Sequence, residues 1–134
     1  MGDRYEIYPE LNFGIAKLEP GIKSFDTLFK VAKEFREDPN FSKVHYQLTD
    51  MRGCSFDFDI SRLANMASLI DEFQEYDNQK LGVYVIDKPL GTAYVQLFFD
   101  SLKYNREFCS TIEKAYSLLG LKIPFKEFKK LIAI

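Results

Sequence analysis

The chain predicts an α/β domain built on a mainly parallel five-stranded sheet whose first strand is antiparallel. Three observations carry this. Short alternating or apolar stretches lie near residues 5–8, 12–18, 44–49 and 81–86 and have the period of strands, and 106–109 is read as a short fifth. Between most of them run longer stretches with helical spacing. The two kinds alternate, in the order β-β-α-β-α-β-α-β-α-α, which requires right-handed crossovers between parallel strands. A length of 134 residues, 46% of them hydrophobic with 13 Phe and 8 Tyr, suits one domain and one substantial core.

Tyr5–Tyr8 alternates and stops at Pro9, as an edge strand does. After a tight turn at Glu10-Leu11, Asn12–Leu18 makes a second strand, ended by Glu19-Pro20-Gly21. Ser24 is a good N-cap, and Asp26 lies where the helix dipole favours an anion. Phe25, Leu28, Phe29, Ala32 and Phe35 form the apolar stripe of the first helix, with Lys30, Lys33, Glu34 and Arg36 away from it. Asp38-Pro39-Asn40 closes that helix.

Val44–Thr49 is read as the central strand. Val44, Tyr46 and Leu48 point one way and His45, Gln47 and Thr49 the other. Its polar side predicts helices mostly on one face of the sheet. Asp59 or Ser61 caps the next helix, whose stripe is Leu63, Met66, Ala67, Ile70 and Phe73. Leu81–Ile86 is almost wholly apolar and reads as the best-buried strand. A third helix spans about Gly91–Tyr104, opened by Pro89. Arg106–Cys109 is a short last strand, and Ser110-Thr111-Ile112-Glu113 matches a capping box for a fourth helix that ends at Gly120. Residues 1–120 form the domain on this reading. Residues 121–134 are a helical extension, with Phe125, Phe128, Leu131 and Ile132 on one side, packed on the domain or on a partner subunit.

The net charge of −2 argues against a nucleic-acid partner, because such partners are held by phosphate neutralisation. The local exception is 121–134, where four lysines face one Glu for +3, leaving −5 for the rest. That basic tail can lie on an anionic membrane surface or dock on protein. Cys54 and Cys109 are read as reduced thiols of a cytoplasmic protein. No apolar run is long enough to span a membrane, and Met1–Glu6 carries neither a leader nor a myristoylation pattern. Metal-ligand spacings, phosphate-binding glycine loops and nucleophile elbows are absent, so no cofactor or metal is expected.

Three stretches together, Tyr5-Glu6-Ile7-Tyr8-Pro9-Glu10-Leu11, Asp38-Pro39-Asn40-Phe41 and Leu48-Thr49-Asp50-Met51-Arg52-Gly53, resemble the small bacterial SpoIIAA-like proteins, a STAS-like group related to the CRAL-TRIO domains. The resemblance covers about residues 4–120 and implies a right-handed βα superhelix. It also implies a turn in which STAS antagonists carry a phosphorylatable Ser. Here that turn reads Asp57-Phe58-Asp59-Ile60-Ser61-Arg62-Leu63, without the Ser-Gly core. Asp50, Asp57 and Asp59 would repel a phosphate there, so no phosphorylation is expected and Ser61 reads as a capping residue.

In open α/β sheets, ligands bind beyond the carboxyl ends of the strands. That edge gathers Asp50, Arg52, Cys54, Ser55, Asp87 and Lys88. Arg52 can clamp a carboxylate or phosphate. Alternatively, Asp50 and Arg52 brace their own turn. His45 is the single histidine and a possible general base, but it has no recognisable catalytic partner. Tyr94, Leu97 and Phe99 lie off the sheet-facing side of the third helix and can line an apolar pocket or a homodimer interface, unless the tail covers them. The function expected is a non-enzymatic regulatory or binding module, acting through protein contacts or a small anionic ligand at the strand-end edge. The alternative is a small carrier of apolar ligands or lipid.

Overall fold

The computed structural model describes residues 2–59, 61, 62, 65, 68, 79–88, 93, 94, 96 and 105–134. Five strands form the main sheet: β1 (Arg4–Tyr8), β2 (Phe13–Lys17), β4 (Tyr46–Asp50), β6 (Leu81–Val85) and β7 (Arg106–Cys109). Their order is β1-β2-β4-β6-β7; β1 is antiparallel to β2 and every other pair is parallel. A second, two-stranded parallel sheet joins β3 (Gly21–Lys23) to β5 (Cys54–Phe56). The helices are α1 (Phe25–Glu37), α2 (Ile112–Leu119) and α3 (Phe125–Ile132). Residues 62, 65, 68, 93, 94 and 96 are helical too, within the expected second and third helices, most of whose residues lie outside the described ones.

The small sheet is absent from the sequence reading. Pro20-Gly21 marks a stop, and three-residue strands carry too little pattern to detect. Thr111, not Ser110, caps α2, its side chain accepting from Lys114 N; the capping-box register is therefore one residue off. Gly120 ends α2 at φ 62°, a conformation for which glycine carries no steric cost. Ser24 caps α1 as expected, accepting from Thr27 N.

Both faces of the sheet are covered, which corrects the expected one-sided arrangement. Ala16, Tyr84 and Ile86 pack with Phe25, Val31 and Phe35 of α1. Their strand neighbours of opposite parity, Phe13, Ile15, Leu48, Val83 and Val85, pack with Ile112, Ala115 and Leu119 of α2 and with Phe128 and Ile132 of α3. Gln47 misled the reading. It is 1% exposed, yet its amide donates to Gln79 Oε1 at 3.0 Å, and Gln79 in turn donates to Val44 O. A buried polar side chain is tolerable when bonded in this way, so a polar residue in a strand need not mark a bare face.

Val44 packs on the α1 side, not with Leu48. The 3₁₀ turn at Phe41–Lys43 precedes it, and His45 N and Tyr46 N both donate to Asn12 O, which resets the alternation where β4 begins. Arg36, expected among the outward charges, is buried; its guanidinium lies 5.9 and 5.8 Å from the ring centres of Phe35 and Phe41. Arginine can bury in this way because its flat cation stacks on aromatic faces. Among the described residues no helix is long and apolar enough to cross a membrane.

Candidate functional site

The carboxyl ends of β2, β4 and β6 lie side by side, because the parallel ladders pair Lys17 with Asp50 and Asp50 with Val85. Past these ends an open cleft of about 390 Å³ is lined by Lys17, Leu18, Pro20, Asp50, Arg52, Gly53 and Asp87. This is where an open α/β sheet offers a ligand site, since the loops leaving the strands diverge there.

Asp50, the last residue of β4, is 3% exposed. Its Oδ1 accepts from Arg52 N at 3.2 Å and from Arg52 Nε at 3.0 Å, and its Oδ2 accepts from Arg52 Nη2 at 2.9 Å. The side-chain part is a bidentate fork on a carboxylate, the strongest common form of ionic hydrogen bond. It raises the Arg52 pKa, with the hydrogen bond to Asp50 as the main cause and further contributions from the charges of Asp50, Asp87 and Glu113; partial burial opposes it. Asp50 is therefore enclosed while the Arg52 side chain stays 42% exposed.

Asp87 joins from the next strand end, its Oδ1 accepting from Gly53 N at 2.8 Å. Gly53 has φ +78°, and a Cβ there would stand 2.9 Å from Pro20 Cβ. The turn 51–53 thus needs glycine for its backbone and for its close approach to Pro20. Cys54 is fully buried, its thiol donating to Glu19 O at 3.4 Å. Burial pushes that thiol up to about 11, so it stays protonated at neutral pH and is a poor nucleophile. Lys88 Nζ donates to Ser55 Oγ at 3.4 Å on the outer side of the turn.

The structure thus brings Asp50, Arg52 and Asp87 to one cleft and places Ser55 and Lys88 as a bonded pair beside it. His45 is elsewhere. It precedes the opposite end of β4, five residues from Asp50, which is roughly 16 Å along an extended strand. Its main chain is engaged by Asn12, Lys80 and Leu81. Tyr94 packs its ring on Phe56 and Phe58, centroids 5.2 and 5.4 Å apart, and its hydroxyl donates to Phe58 O at 2.7 Å. Leu97 and Phe99 lie outside the described residues. In the turn that follows, Asp59 Oδ1 accepts from Ser61 N at 2.9 Å; the residues whose N–H groups a Ser61 cap would serve lie outside the described residues. The bond from Ser61 N lowers the Asp59 pKa.

Lys17 and Leu18 are cleft residues that the sequence does not announce. Lys17 ends a strand as any solvated lysine does, and only the register of β2 against β4 places it beside Asp50. Among the described residues no group of His, Cys, Asp and Glu side chains is arranged to hold a metal. The chain matches no family model, no curated protein and no solved structure.

Proposed function

We propose that the protein is a non-enzymatic STAS-like regulatory or binding module, a single right-handed βα superhelix acting through contact with another protein at the carboxyl edge of its parallel strands. One observation carries this reading: a buried carboxylate, Asp50, holds the exposed guanidinium of Arg52 at the mouth of the cleft. Asp50 takes Nε and Nη2 of this guanidinium, so a carboxylate or phosphate group on a partner competes with Asp50 for a fork already presented at the mouth of the cleft. Four of the seven lining residues, Lys17, Asp50, Arg52 and Asp87, carry charge. The partner is a second protein or a second copy of this chain. The free thiols Cys54 and Cys109 fit a cytoplasmic setting.

A small anionic ligand bearing the same carboxylate or phosphate group is the second reading, favoured by Lys17 and Arg52 lining one cleft. The two are separated experimentally. A photo-crosslinking residue at Ser55, with one at Lys33 on α1 as control, is expected to trap a discrete product in cells that disappears in an Arg52→Glu background. Absence of any product above the control rejects protein contact at this edge. Inorganic phosphate, nucleotides and organic phosphates are then titrated while the Arg52 and Gly53 amides are followed by NMR. Saturable shifts favour the small ligand, and flat titrations remove it.

A further inference from the structure

Lys17 and Asp50 are register partners in the parallel β2–β4 ladder. Counting by twos from Ile15 and Leu48, both belong to the sheet face that carries α2 and α3. Opposite charges so placed ordinarily bond to each other. Here each is engaged elsewhere. Asp50 is taken by Arg52. Lys17 Nζ reaches away, donating at 3.0 Å to the carbonyl of Ile132, the last residue of α3.

That carbonyl belongs to a group. Tyr8 Oη donates to Leu131 O at 2.9 Å, and Arg4 donates to the main-chain oxygen of Ile134. The last carbonyls of a helix have no intrahelical partner, and a cation beside them also meets the negative end of the helix dipole. Lys17 is therefore part of the C-terminal cap of α3 while standing next to a buried carboxylate held by a different cation.

We propose that Lys17 is a relay between the cleft and α3. When a partner's carboxylate or phosphate draws the Arg52 fork outward, Asp50 loses its counter-charge. A buried carboxylate without a cation is strongly disfavoured, and Lys17, its register partner on β2 and a lining residue of the same cleft, can replace the lost charge. Lys17 then turns to Asp50 and leaves Ile132 O, and the last turn of α3 loosens. The two arrangements, Lys17 on α3 with Arg52 on Asp50 or Lys17 on Asp50 with Arg52 released, form the two-state element that coupling between distant sites requires. The inference rests on the proposed recognition role of Arg52 for its trigger alone. The coupling itself is tested without any partner, so the two can fail separately.

The test is amide hydrogen exchange of the full chain, read at residues 130–133. Arg52→Gln removes the cation from Asp50 permanently and is expected to speed exchange there about fivefold, the scale of losing one helix-end cation. Lys17→Met is expected to give the same increase, and the double variant no more than either alone. Asp50→Asn combined with Arg52→Gln is expected to restore wild-type exchange, because a neutral side chain no longer attracts Lys17; simple loosening of the fold would not be reversed in this way. If Arg52→Gln does not fold, Arg52→Lys replaces it, with a smaller increase that the same Asp50→Asn change reverses. Unchanged exchange in the Arg52 variant, additive effects of the Arg52 and Lys17 variants, or failure of Asp50→Asn to reverse the increase overturns the relay.

Discussion

A methyl group on Gly14 would stand 2.7 Å from the ring of Phe35. α1 lies on β2 at that point with no room for a side chain, and Val44 closes the remaining side at 3.2 Å. Phe35 has nowhere to go: it is 1% exposed, stacked on Tyr5 at 5.4 Å and edge-on to Phe41 at 5.3 Å. Gly14→Ala is expected to destabilise the fold by about 1–3 kcal/mol, the usual cost of overpacking. Urea unfolding measures it, and Phe35→Leu in the same chain is expected to recover part of the loss.

Gln47 and Gln79 form a buried pair whose members are 32 residues apart. Gln47→Leu leaves Gln79 Oε1 without that donor, and a stranded buried acceptor costs about 1–3 kcal/mol, part of which is offset because the change also removes Gln47 Oε1, a buried acceptor with no partner among the described residues. Replacing both by Leu is expected to cost less than the sum of the two single changes, though Val44 O then also loses its partner. A double-mutant cycle on unfolding free energies checks this; strict additivity would show that the pair is not coupled.

The two thiols are expected to differ in reactivity. Burial raises both, but Cys54 is enclosed and pushed up to about 11, while Cys109 is half-buried. A chromogenic disulfide reagent at pH 8 is expected to modify Cys109 first and Cys54 only when denaturant opens the core. Simultaneous modification in the native protein would contradict the packing around Cys54.

Alkaline pH is expected to weaken the fold partly through Tyr5. Burial, and then the hydrogen bond to Asp38, push its phenol up to about 12 from an ordinary value of 10.0. Above pH 10 the unfolded chain releases this proton while the folded one keeps it. Its contribution is therefore complete below 10 and is lost as pH rises toward 12. Tyr5→Phe is expected to flatten that part of the stability profile, seen by denaturant titration at pH 8 and pH 11. An unchanged slope would assign the alkaline loss to other groups, Tyr8 first, whose pKa burial also raises.

Most of the main sheet was legible in the sequence because β1, β2 and β4 carry alternation and β6 an unbroken apolar run, whereas Arg106–Cys109 carries neither and was placed by its position between two helical stretches. α1 and α3 were legible from helical spacing, and Ser24 and Gly120 from their capping chemistry. What escaped depended on distant partners. The polarity of Gln47 suggested solvent because Gln79 cannot be paired with it from sequence, and Arg36 looked like a surface charge until Phe41 was folded beneath it. Asp50 and Arg52 are two residues apart, so their bond was already one of the two sequence readings. Lys17 was invisible as a cleft residue, since only strand register brings it there.

The anchoring of α3 also has a consequence in time. Tyr8, Lys17 and Arg4 meet their carbonyl partners across separations of 123, 115 and 130 residues. Phe13, completely buried, packs its ring on Phe128 at 6.1 Å. During synthesis the hairpin of β1 and β2 emerges early, yet the helix that caps and covers it is made more than a hundred residues later. The contacts that seal this aromatic face therefore close loops of more than a hundred residues, the kind of long-range pairing that forms late because its entropy is lost before its contacts are gained.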